Sequence, residues 1–249
     1  MDILMDHLRA MGPFSALDAA AVGFMLLSWG GIGWMIEHPP ARRQSVTILM
    51  QQYRHDWMVQ FVTRQPRIFD ATVIESLRQG TAFFASACLI AIGGGVALIG
   101  NAGTLTGLAE RLSLEAEAGE IQLRVLLVLM FLANALLKFI WSNRLFGYCS
   151  ILMAAVPNDP TDPLALHRAA QAAEVNITAA KSFNRGLRSI DFALAALGWL
   201  LGAPVLIVTT LVAGSVLLRR EFASHSRQVM LQRNLTADQT GADLPRRPS

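Results

Sequence analysis

The residues best able to do chemistry fall in two clusters. Asn134, Lys138, Asn143 and Arg144 lie along the second half of an otherwise apolar run, Ile121 to Pro157, and Arg185, Arg188 and Asp191 follow downstream. A charged side chain near a bilayer needs a partner, water or an escape to the interface. Asn134 and Lys138 are four apart and share one helix face. They fit a polar strip along a small-molecule or ion path. They fit equally a plainer arrangement, with Asn134 bonded to a neighbouring helix and Lys138 snorkelling past Trp141. The plainer one is preferred, because Lys138 is only about a turn from the polar end of its span. Arg188 and Asp191 are spaced as an intrahelical pair, with Arg185 one turn earlier. With Arg144 these cations form a candidate corner for phosphate or carboxylate, to which arginine offers a planar fork of donors. Asp70, Glu75 and Asp191 can instead neutralise them in a structural network, and this second reading is slightly ahead.

Other chemistries find less support. His7, His38, His55, His167 and His225 do not pair with one another or with cysteine at ligand spacing, and no H-E-x-x-H motif occurs, so no metal site is expected. Cys88 and Cys149 sit in apolar sequence, where cysteine acts as a small buried hydrophobe. Gly93-Gly94-Gly95 lacks the Lys and Ser/Thr of a phosphate loop. There is no G-x-S-x-G elbow. No catalytic residue and no cofactor are assigned.

The elements that must position these groups are membrane helices. Of the 249 residues 53% are hydrophobic and only 16% charged, against about 25% charged in an ordinary soluble domain. Mean hydropathy is +0.41. Apolar runs at about 17–36, 80–100, 121–142 and 192–218 are long enough to cross a bilayer. The first is read as a retained helix, since no basic region or cleavage site precedes it. Asp18 opens it, where a carboxylate favours a helix N-terminus and can stay wet. Gly30, Gly31 and Gly33 would allow close helix approach, as would Gly93 and Ala97. Trp29 and Trp34 are expected as interface anchors. Between the first two spans, Val46, Leu49, Met50, Tyr53, Trp57, Phe61 and Val62 recur at helical spacing, an amphipathic helix. It would lie in the headgroup plane or pack its apolar face on another helix of the chain. Asp70 is a candidate N-cap for the helix leading into the second span. Asp162-Pro163 starts an Ala-rich helix, and Gly202-Ala203-Pro204 interrupts the last apolar segment.

The expectation is an all-α, polytopic membrane protein with about four spans plus amphipathic and cytoplasmic helices. Residues 1–220 form one integral-membrane domain, and 221–249 a partly disordered polar tail. The basic loops orient it with the N-terminus periplasmic and the two long loops cytoplasmic. Four spans would leave Arg219 and Arg220 outside; a re-entrant hairpin at Gly202–Pro204 would return them, and the plain four-span form is favoured because membrane helices tolerate proline. The basic charge (pI near 9.3) suits anionic lipid headgroups rather than nucleic acid.

Four stretches together resemble an uncharacterised integral-membrane family of bacteria and plants, domain of unknown function 599: RHDW at 54–57, DATVIESLRQGTAFFAS at 70–86, KFIWSNRLFGYCSILMAAVP at 138–157 and NRGLRSIDFALAALGWLLGAP at 184–204. The resemblance covers roughly 17–220. It implies about four helices in the bacterial inner membrane and supplies no activity. The leading expectation is a non-enzymatic scaffold, assembly or modulatory subunit, working as a homo-oligomer or with other membrane proteins. A small transporter or channel, or an anionic-lipid-binding protein using Arg144, Arg185 and Arg188, are the alternatives.

Overall fold

The structure, a computed structural model, describes residues 15–40, 43–101 and 118–232. The expected polar lead, most of the acidic connection (Glu110, Glu115, Glu117) and the tail from 233 lie outside the described residues. Within them there are helices and no strands. In chain order these are α1 (Ala16–Glu37), α2 (Val46–Thr63), α3 (Ile68–Gly100), α4 (Ala118–Ala154), α5 (Pro163–Ala196), a 3-10 turn (Leu197–Leu201) and α6 (Ala203–Phe222). A further helical stretch covers 225–232.

Four helices are long and apolar enough to cross a membrane: α1, α3, α4, and α6 continuing to Gln232. A helix rises about 1.5 Å per residue, so α3, α4 and α5 span roughly 50 Å each. That exceeds the roughly 30 Å of hydrocarbon in a bilayer. The excess builds a second tier. In it Met58, Phe61 and Val62 of α2, Ile74 of α3, Phe146, Cys149 and Met153 of α4, and the alanines of early α5 close one core. α2 therefore does not lie flat on headgroups; its apolar face packs on α5, as the alternative reading had it. The alanines, buried at 165, 169, 172 and 173, let the helices approach. Two arginines complete the tier where α4 ends and leaves carbonyls unpaired. Arg67 donates to the Val156 and Pro157 carbonyls, both at 2.7 Å, and Arg168 to that of Ala155 at 2.6 Å.

Below it, three clusters join the membrane parts. α1, α4, late α5 and α6 meet around Met25, Phe131, Phe192 and Leu206. α3 and α4 meet around Leu129 and again, with α5, around Phe139. Trp29 packs edge-on against Phe131 with centroids 5.5 Å apart, so it is a core residue and not an interface anchor; Trp34 is exposed. The glycines also differ from expectation. A Cβ at Gly30, Gly31 or Gly93 would meet nothing within 4 Å, whereas at Gly95 it would fall 2.5 Å from Leu129 and at Gly186 2.7 Å from Phe139.

The expected span 192–218 is two elements. Gly202 has φ 111° and ψ 168°, a conformation essentially restricted to glycine, and Pro204 then starts α6. The chain reverses there. Thr209 Oγ1 of α6 donates to the Ala195 carbonyl at 2.7 Å, and Arg220 reaches Asp191 at 3.8 Å, so late α5 and α6 run antiparallel. The start of the supposed tail is ordered too: Glu221 accepts from the Thr47 N–H at 3.0 Å, and Arg227 donates to the Gln44 carbonyl at 2.7 Å.

Candidate functional site

At the end of α1, Glu37 is the centre of the charged corner. A carboxylate is poorly placed at a helix C-terminus, and two cations from α5 correct this. Arg185 grips Glu37 with both prongs of its fork, Nε to Oε1 at 2.9 Å and Nη2 to Oε2 at 2.5 Å. Arg188 Nη2 donates to Oε1 as well, from a side chain only 9% exposed. The expected Arg188–Asp191 pair does not form. Arg188 crosses to α1 beside Gly33, where a Cβ would lie 3.7 Å from its Nε, and Asp191 faces Arg220 instead. Next to this clamp the N-cap Ser45 of α2 donates its hydroxyl to the Ile36 carbonyl at 2.8 Å. The corner therefore fastens α1, α2, α5 and α6 to one another.

The other candidates lie apart. Arg144 stays exposed and folds back on Tyr148, one turn later, donating to its hydroxyl at 2.5 Å with the guanidinium over the ring. Asn143 bridges to α3 through the Arg78 carbonyl at 3.0 Å and the Thr81 hydroxyl at 2.9 Å. Asn134 donates to Ser189 Oγ of α5 at 2.7 Å, the neighbouring-helix bond expected of it. Lys138 is half-buried with no hydrogen-bond or ion-pair partner for its amine among the described residues; its carbonyl accepts from Ser182. Neither Asp70 nor Glu75 serves the corner. Asp70 is no N-cap either: α3 begins at Ile68, and Asp70 is wholly buried, accepting from Trp57 Nε1 at 2.6 Å and Arg64 Nη1 at 2.5 Å. Glu75 pairs with Arg78.

Opposite the corner, at the start of α1, Asp18 and Ser15 form a capping box. Asp18 is buried rather than wet, and takes the indole N–H of Trp199 at 2.7 Å. Arg124 pairs with Glu120 at 3.0 Å nearby on α4 and reaches the Leu200 carbonyl. The hairpin tip is thereby tied to the opposite end of the bundle from Glu37. Among the described residues no three His, Cys, Asp or Glu side chains converge as metal ligands, and Cys88 and Cys149 are buried free thiols.

Sequence reasoning missed Glu37 because its partners are 148 and 151 residues away. The one available signal was a lone carboxylate ending a span, which calls for a cation.

Four apolar helices of spanning length, in a chain that is helical and strand-free among the described residues, suggest a multi-pass membrane protein, with paired charges gathered at the end of α1. The chain belongs to the family described as proteins of unknown function, DUF599, whose family model matches residues 20–226. No curated protein and no solved structure matches it.

Proposed function

We propose that this protein is a non-enzymatic scaffold, assembly or modulatory subunit of the bacterial inner membrane. One observation carries the reading: the polar groups are engaged in joining helices, at the corner Glu37 with Arg185 and Arg188 and Asp191 with Arg220, and apart from it Asn134 with Ser189. Groups held this way stabilise an arrangement rather than line a path. α3 in addition turns Phe83, Leu89 and Ile90 outward, an apolar surface suited to lipid or to the helices of a partner. Purification in mild detergent followed by identification of what accompanies the protein tests this. A reproducible membrane-protein partner or a defined homo-oligomer is expected; a lone monomeric particle overturns it.

With α1, α3, α4 and α6 as the helices of spanning length, the hairpin of late α5 and α6 supports a periplasmic N-terminus and a cytoplasmic tail. Arg54, Arg78, Arg185, Arg188, Arg220 and Arg227 then share the side of the two long loops, as the positive-inside rule prefers. Arg124 stays at the other end, paired with Glu120.

Lys138 favours a second reading, a small transporter or channel, because a half-buried amine without a partner in a span is costly. Flux through liposomes carrying the protein, lost on Lys138→Ala, would support it; absence of flux, or flux unchanged by the substitution, removes Lys138 from any such path.

A further inference from the structure

Beside the clamp, α2, α5 and the end of α6 enclose a cavity of about 370 Å³, within the range of small-ligand sites. Its charged lining is Arg54 from α2, Lys181 from α5, and Arg220 with Glu221 from α6. Glu221 is already committed: its two oxygens accept from the Thr47 N–H at 3.0 Å and the Thr47 hydroxyl at 3.1 Å. Asp191, the acid at the edge, comes no nearer to Arg220 than 3.8 Å. Lys181 has no hydrogen-bond or ion-pair partner among the described residues. Arg54 donates to a neutral acceptor, the Asn176 amide oxygen. Burial pushes its pKa down from the ordinary arginine value, and the guanidinium nonetheless stays charged. Three cations on three elements thus surround a space containing one carboxylate. This is the opposite of the Glu37 corner, where the acid holds both bases.

We propose that this cavity binds a phosphate group, with Arg54, Lys181 and Arg220 as its charged donors. The three cations less the Glu221 carboxylate leave an excess of two positive charges, or of one when Asp191 is counted against Arg220. A phosphate monoester carries about −1.5 to −2 at neutral pH, and arginine forks match its oxygens. Neutral donors, Gln51 and Ser224, lie in the same wall. The cavity adjoins the start of α2 and the end of α6, where a membrane boundary would fall, so the group can belong to an anionic lipid or to a soluble phosphate compound.

Two arms separate these sources. In the first, the full chain in phosphatidylcholine nanodiscs is titrated with inorganic phosphate by calorimetry. In the second, the protein in mixed micelles of phosphatidylcholine and phosphatidylglycerol is examined by native mass spectrometry for retained anionic lipid. Each arm is run on the wild type, Lys181→Gln, Lys181→Gln/Arg220→Gln and the exposed control Arg144→Gln. Binding in either arm is expected to weaken about tenfold in the single variant and to vanish in the double one. Arg144→Gln should bind as the wild type does. Phosphate in the first arm identifies a soluble ligand, and phosphatidylglycerol in the second a lipid. Thermal unfolding without ligand is recorded for each variant; Lys181→Gln, which breaks no hydrogen bond or ion pair among the described residues, keeps the test open if the double variant fails to fold. Absence of binding in both arms, or binding that Lys181→Gln leaves unchanged, overturns the proposal.

Discussion

Glu37 brings two arginines of α5 to the end of α1, and the consequences of removing each charge differ in size. Arg188 is 9% exposed and Arg185 46%. Glu37→Gln leaves a nearly buried guanidinium without its counter-charge, an arrangement that costs about 3–5 kcal/mol when one partner of a buried pair is deleted. Arg185→Gln removes a solvated partner and should cost under about 1 kcal/mol. Thermal unfolding in detergent should therefore fall far more for Glu37→Gln than for Arg185→Gln. Equal falls would mean that the clamp does not hold α5 to α1. At this scale the sequence was read correctly where the partner is local or merely nearby on another helix, as for Asn134 and for Asp162, which caps α5 through the Leu164 N–H at 2.8 Å. It was misread for Arg188 and Asp70. Spacing along one helix reports which residues can meet, and tertiary packing supplied each of them with a better-placed partner.

Among the elements, the hairpin of late α5 and α6 depends on its turn. Gly202→Ala puts a Cβ on a backbone at φ 111°, a strain of about 1–3 kcal/mol. It should lower stability while leaving helix content intact, as circular dichroism during melting would reveal. An unchanged melting temperature would show that the turn is not as described. Gly186→Ala is a second probe. Its Cβ would fall 2.7 Å from the Phe139 ring. That ring is itself stacked on Phe84 at 5.4 Å and packed by Phe183 at 5.5 Å, so it has little room to yield. Overpacking of this kind costs about 1–3 kcal/mol. Gly80→Ala, in open space, should instead stabilise α3 by up to about 1 kcal/mol; the two melting temperatures should move in opposite directions. Helix content, the start of α5 and the apolar face of α2 were visible in periodicity and capping residues. Where the last apolar segment turned was not. Gly-Ala-Pro is compatible with a kinked span or a reversal, and contacts with Thr209 and Arg220 decide between them.

On the scale of the whole molecule, the long helices exceed the hydrocarbon thickness of a bilayer and make two tiers, and the hairpin reverses the direction of the chain. Hydropathy revealed the first tier and could not reveal the second, whose core combines alanines of α5 with larger apolar residues of α2, α3 and α4. The hairpin also relocates Arg220, Glu221 and Arg227, joining α6 to α2 and closing the cavity with Arg54 and Lys181. Both the cavity and the Asp191–Arg220 pair need α6 to end beside Thr47. Compartment-specific reporters fused at the N-terminus and after Ser249 test the reversal directly. Opposite sides are expected, with the tail reporter active in the cytoplasm and the N-terminal one outside. Both reporters on the same side would contradict it.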